Sequence, residues 1–306
     1  DLMPHRVREL LLVSSLYHAF ILQEDGNLED QVFFEFKNLS LSSAPTFTHV
    51  TTGEDALATL AERPFDLVLV ATRVPDMDLR TFCKRVKEVA PAHPIVVLAF
   101  DNPYVNRLTN LVGAGGIESV FVWGGSASII LAIIKYLEDR QNVDSDIEVA
   151  DVGVILLVAE SPHHYSTVLS ALYPALMKQS QSLFSEGLNR MEKLIRMRTR
   201  PKVVHASNEE EAAQLYERYQ DNLMAVISDV GFPVGRVYDA EAGIRLAQRV
   251  RTDRRDLPVL LQAGPGDDLA RAHEVATLVL DRGSPRLLQE IRLFLVDHLG
   301  FGDFVF

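Results

Sequence analysis

Short apolar runs rich in Val, Leu and Ile recur along this 306-residue chain, each separated from the next by a stretch whose apolar residues have helical spacing. Runs that are continuously apolar read as strands buried on both faces of a parallel sheet, and the stretches between them supply the helical crossovers that parallel strands require. The runs fall at 9–13, 46–51, 66–70, 94–99 and 119–123, and again at 153–158, 202–206, 223–228, 258–261 and 277–280. Five β/α units in each half predict two doubly wound α/β domains.

The two halves can be laid over each other. ELLLVSS matches VILLVAES, FDLVLVATRVP matches LMAVISDVGFP, and VFVWGGS matches LVLDRGS, which predicts an internal duplication. The offset is 145 residues at Val13/Val158 and 158 at Ala71/Asp229 and Ser126/Ser284, so the second copy is longer between its first and third strands. The extra length is expected in one helix over 161–198, marked by Tyr165, Val168, Leu169, Leu172, Leu176, Leu183, Leu188, Met191 and Ile195. Pro174 is expected to kink it and Gly187 to weaken its middle. At ~1.5 Å per residue it would reach roughly 50 Å, further than one small domain covers. Its apolar stripe is therefore expected to build a homodimer, with docking on the first domain as the alternative. The polar, acidic segment 142–152 (NVDSDIEVADV) is expected to link a domain at 6–141 to one at 153–299.

Charge and cysteine content exclude several classes of function. With 30 Lys+Arg against 42 Asp+Glu the net charge is −12, which argues against nucleic acid or an anionic membrane surface as a partner. The longest apolar runs, such as 152–159, are strand-length and well short of the ~20 residues a membrane span needs. Cys83 is the single cysteine and no Cys/His pair has zinc spacing, so a cytoplasmic location is expected. Asp1 is not an initiator methionine and no charged-then-apolar leader follows it, which reads as a cut or processed fragment.

Ligands and reactive groups gather at the carboxyl ends of strands in open parallel sheets. In the second half those positions hold Ala159-Glu160, Asp229, Gln262 and Asp281-Arg282: carboxylates with a cation near them. The run SDVGFP, with Asp229 four residues before Pro233, resembles the D-x-x-x-P segment of response-regulator receiver domains, as do the five β/α units and the acid after the first strand. The resemblance implies flavodoxin-like domains with strand order 2-1-3-4-5 and phosphorylation of Asp229 by a histidine kinase. It also implies Mg²⁺ held by Glu160, Asp229 and the Gly231 carbonyl. Gln262 stands where the family has Thr or Ser, Arg282 where it has Lys, and Ala159 where it has a further acid. Arginine is not a drop-in replacement for a compact ammonium group. In the first half, FDLVLVATRVPDMD keeps the family's wording around Ala71, where no nucleophile exists. Ser14 and Ser15 replace the acids, Ala99 the hydroxyl residue and Gly124 the lysine, so this copy is expected to be inert.

LYHAFILQEDGNL, MKQSQSLFSEGLN, IRMRTRPKVV, SDVGFP and HLGFGDFVF resemble the N-terminal region of phosphoenolpyruvate synthase-related proteins over essentially the whole chain. That resemblance implies a tandem receiver-like pair joined, through 300–306, to a nucleotide- and pyruvate-binding catalytic region. The fragment itself is then a regulatory phosphorelay module and not an enzyme. Asp229 also reads as a loop cap or a partner of Arg282, and Glu160 as an acid favoured by a helix N-terminus. A scaffold of phosphorylation-independent pseudo-receivers is therefore the second reading. A flavodoxin-like cofactor binder is disfavoured, because no Ser/Thr-rich phosphate loop follows either first strand. His163-His164 reads as a solvated helix start and Trp123 as packing. Arg196, Arg198, Arg200 and Lys202 read as a helix C-terminus favoured by its dipole. The glycines of 113–116 follow a helix and open a strand, the reverse of a nucleotide loop.

Overall fold

The computed structural model describes residues 2–22, 27–39, 41, 44–100, 105, 108–109, 111–113, 115–182, 200–235 and 237–299. It divides into two compact units, His5–Lys135 and Tyr136–Phe306 with Asp1–Pro4. In the first, β1 (Glu9–Val13), β2 (Thr46–Val50), β3 (Leu67–Ala71), β4 (Ile95–Ala99) and β5 (Ser119–Val122) pair in the order β2-β1-β3-β4-β5, all parallel. The crossovers contain α1 (Leu16–Leu22), α2 (Leu28–Asn38), α3 (Gly53–Glu62) and α4 (Leu79–Val89). The central strands LVLVA and IVVLA are buried along their whole length, as continuous apolar runs require.

The helix α5 (Ser128–Ala150) contains the boundary between the units, which falls between Lys135 and Tyr136. The segment 142–152 expected as a linker is thus helical to Ala150, and the chain divides earlier than 141/142. Its polarity misled because several of its polar side chains have partners within the second unit. Asp146 lies 2.7 Å from Lys202 Nζ and accepts the Met3 amide, Asp144 pairs with Arg218, and Asn142 donates to the Glu138 carbonyl.

The second unit pairs β6 (Val154–Val158), β7 (Lys202–Ala206), β8 (Leu223–Asp229), β11 (Val259–Ala263) and β12 (Leu278–Asp281) in the order β12-β11-β8-β6-β7, again parallel. Read from its other edge, this is the order of the first sheet, so the molecule is α/β with two doubly wound, flavodoxin-like sheets. Between β8 and α8 (Ala242–Asp253) lies an antiparallel hairpin, β9 (Phe232–Val234) and β10 (Val237–Asp239), that the sequence reading takes for loop. Three-residue strands carrying Pro233 and turning at Gly235 (φ +63°) leave no periodicity to detect. The remaining helices are α6 (Pro162–Ser182), α7 (Glu209–Tyr219), α9 (Leu269–Val275) and α10 (Leu287–His298).

In α6, which contains Pro174, Tyr165, Val168, Leu169, Leu172 and Leu176 are all buried, and the helix packs against α10. The part of the expected helix at 183–198 lies outside the described residues. Arg200 and Lys202 are not dipole-favoured surface cations. Arg200 forks onto Asp139 at 2.5 and 2.9 Å, Asp139 also accepts the Val203 amide, and Lys202 pairs with Asp146, all essentially without exposure. Arg196 and Arg198 lie outside the described residues. No helix among the described residues is long and apolar enough to cross a membrane.

The duplication extends to side-chain detail. Thr52 caps α3 by accepting the Asp55 amide, and Asn208 caps α7 by accepting the Glu211 amide. His49 and His205 occupy equivalent register positions, paired with Leu12 and Leu157, and each ring lies within hydrogen-bond distance of the carbonyl just past the first strand, Ser14 at 3.3 Å and Ala159 at 2.8 Å.

Candidate functional site

The carboxyl ends of β6, β8, β11 and β12 bring the sequence-selected residues of the second unit together. Asp229 ends β8, is 3% exposed, and stands in register with Gln262 on β11. Arg282 follows β12, its amide bonded to the Ala263 carbonyl, and its Nη1 lies 3.6 Å from Asp229 Oδ2. Its Nη2 lies 3.5 Å from Asp267 Oδ2, so the guanidinium bridges two carboxylates. A Cβ at Gly264 would collide with that guanidinium, so the absent side chain makes room for Arg282. Glu160 is two residues beyond β6, the neighbour of β8, and Gly231 two beyond Asp229. Tyr238, from the hairpin, places its hydroxyl where a side chain at Gly231 would stand.

His164 joins this group, against the expectation of a solvated helix start. In the first turn of α6, its Nδ1 lies 2.7 Å from Asp229 Oδ1, and its side chain is 10% exposed. The contact is close but not aligned as a hydrogen bond: Asp229 Oδ1, both nitrogens of His164 and both polar atoms of the fully buried Gln262 have no hydrogen-bond partner among the described residues. Sequence spacing could not reveal this, because which of two adjacent histidines faces inward depends on where the helix starts.

The electrostatics are those of acids crowded at one edge. Partial burial, and then the charge of Asp229, raise the Glu160 pKa above its ordinary value, although the residue as a whole is exposed. Burial and then the Asp267 charge raise that of Tyr238. Burial lowers that of His205, outweighing its bond to the Ala159 carbonyl. No three His, Cys, Asp or Glu side chains among the described residues form a metal cluster. Two carboxylates and a backbone carbonyl are nevertheless hard oxygen donors of the kind Mg²⁺ takes, with water completing its shell. The Asp229 charge that helps raise the Glu160 pKa is the kind of carboxylate repulsion a cation would relieve, although His164 Nδ1 stands 2.7 Å from Asp229 Oδ1.

Among the described residues the first unit has no such site. Ala71 takes the place of Asp229, and the Ser14 hydroxyl is within 2.8 Å of His49. Strand register corrects two expected equivalences. Ala71 pairs with Leu98 as Asp229 pairs with Gln262, so Leu98 and not Ala99 is the counterpart of Gln262. The Trp123 amide bonds Ala99 as the Arg282 amide bonds Ala263, so Trp123 and not Gly124 is the counterpart of Arg282. Aromatic rings fill the space: His18 stacks on Phe100 at 4.6 Å, and Phe100 lies 6.2 Å from Trp123.

No family model matches the chain, and no curated protein matches it. Among solved structures it is similar to the signal receiver domain of an HD domain-containing protein from Pseudomonas fluorescens Pf-5, at 23% identity and TM-score 0.34 over 46% of this chain and 93% of that one. It is similar to a response regulator receiver domain protein from Clostridium thermocellum, at 16% identity and TM-score 0.33 over 49% and 95%. A protein assigned as a two-component system response regulator/GGDEF domain protein is similar over 94% of this chain and 96% of its own, at 14% identity and TM-score 0.37.

Proposed function

We propose that the chain is a regulatory module of a phosphorelay, with the second unit phosphorylated on Asp229 by a histidine kinase and the first serving as an inert packing or docking copy. It is not itself an enzyme; it controls an attached phosphoenolpyruvate synthase-like catalytic region, a part of the reading that rests on the segments resembling that family. The observation that carries the proposal is the convergence of Asp229, Glu160, Gln262 and Arg282 at one sheet edge. An Asp229 carboxylate oxygen attacks the phosphorus, the bond to the kinase histidine nitrogen breaks, and an acyl phosphate forms. Mg²⁺, held by Glu160, Asp229 and the Gly231 carbonyl, would neutralise charge on the phosphoryl oxygens. Arg282 transfers its contact from the carboxylate to the new anion, and the unpartnered Gln262 amide donates to it.

A second reading, a phosphorylation-independent scaffold, is favoured by one observation: Asp229 is almost fully buried and each carboxylate oxygen already faces a nitrogen. Intact mass after incubation with Mg²⁺ and acetyl phosphate separates the two. The phosphorelay reading expects one added phosphate, absent from Asp229→Ala; an unchanged mass for the folded wild type leaves the scaffold.

A further inference from the structure

We infer that His164 is an internal gate on the metal position of this pocket, its imidazole occupying the Asp229 oxygen that a divalent cation must use. The inference rests on the reading of Asp229 and Glu160 as cation ligands and adds a residue that the receiver pattern does not supply.

A cation bridging Glu160 and Asp229 needs one Asp229 oxygen at ~2.0–2.1 Å if it is Mg²⁺. The Arg282 guanidinium, 3.6 Å from Oδ2, is too far for a hydrogen bond but places a positive charge that repels a divalent cation from that side, while His164 Nδ1 covers Oδ1 at 2.7 Å. A cation on Oδ1 requires the imidazole to withdraw. Arg282 is held from a second side by Asp267 and lies against Gly264. His164 has no such anchor, since neither ring nitrogen makes a hydrogen bond among the described residues. Buried polar atoms without partners are costly in place, so the ring has less to lose by rotating away than Arg282 has. Gln262, also buried without partners, lines the same edge and offers nothing that holds the ring. The closed pocket is then an autoinhibited state, and the metal binds only the fraction of molecules in which His164 has turned out, so its apparent affinity falls by that fraction.

Calorimetric titration of the full chain with MgCl₂, without a phosphodonor, tests this. If the open form is about a tenth of the population, His164→Ala binds Mg²⁺ about tenfold more tightly than wild type, and the gain disappears in the His164→Ala/Asp229→Ala double variant. His164→Ser replaces His164→Ala if the latter does not keep the wild-type far-UV spectrum. Equal or weaker binding by the folded His164 variant overturns the gate while leaving the metal reading intact. Tighter binding in Arg282→Gln but not in the His164 variant assigns the gate to Arg282 and overturns the inference. No Mg²⁺ binding by any of the proteins overturns both the gate and the use of Asp229 as a metal ligand.

Discussion

In the first unit Trp123 holds the position that Arg282 holds in the second, and Phe100 follows β4 where Gly264 follows β11. The glycine admits a guanidinium, whereas the two aromatic rings with His18 leave an apolar stack. With Ala71 lacking any nucleophile, peptides from residues 60–90 are expected to carry no acid-labile phosphate after treatment with acetyl phosphate and Mg²⁺; its detection there by mass spectrometry would refute the assignment of an inert copy. Cys83 is expected to be equally silent, because burial pushes its thiol up to about 12, leaving almost no thiolate at pH 8. Native protein should resist a thiol reagent that labels the denatured chain within minutes, and rapid native labelling would contradict this burial. That Asp229, Glu160, Gln262 and Arg282 stand at or just past strand ends was readable from sequence, because strand ends are easy to place in continuous apolar runs. Leu98 and Trp123 were not, since motif matching at Ser126/Ser284 passes over a one-residue offset that only strand pairing reveals.

Helices α3 and α7 each start on a polar cap three residues before an acid, Thr52 accepting the Asp55 amide and Asn208 the Glu211 amide. The start of α3 has an added device: Asp76 accepts the Gly53 and Glu54 amides at 2.7 and 3.0 Å. Its burial acts to raise the pKa, but these bonds prevail and hold it below the ordinary 3.8. A depressed acid stabilises the fold above its unfolded pKa and loses that contribution as pH falls through the folded value. Asp76→Asn should therefore lower the unfolding midpoint slightly at pH 7, with the gap to wild type closing below pH 3.8; a gap unchanged at pH 2 would show that the carboxylate charge is not involved. Helix α5 hid from sequence reading because its acids are partners of distant residues, Asp139 of Arg200 and Asp146 of Lys202. Removing one member of a buried pair strands the other charge, at a cost of about 3–5 kcal/mol. Urea unfolding of Asp139→Ala should register that loss in the second unit, while Asp139→Leu with Arg200→Met should recover most of it. A loss below about 1 kcal/mol would mean the pair is hydrated.

Every main strand of both sheets was legible in the sequence, because duplication gives two independent sightings of each β/α unit and their patterns agree, whereas their order, which the structure bears out, was implied only by the resemblance to receiver domains. What the pattern cannot fix is where one unit ends. A linker and a charged helix share a composition, and the boundary at Lys135/Tyr136 falls in apolar sequence. The same limit applies to self-association. Over 162–182 the apolar stripe of α6 is covered within its own chain, so this portion gives no reason to dimerise. The sequence continues the helical spacing through Leu183, Leu188, Met191 and Ile195, outside the described residues, and a stripe repeated in every copy is met most simply by the same stripe across a two-fold axis. The chain is therefore expected to sediment at twice its 34.2 kDa at micromolar concentration. Glutamates at Leu183 and Leu188 would place unpaired charges in that interface and return the protein to 34.2 kDa without changing its far-UV spectrum. A wild-type chain that sediments as a monomer across the same range removes the dimer, and a double variant that still sediments as one places its interface elsewhere.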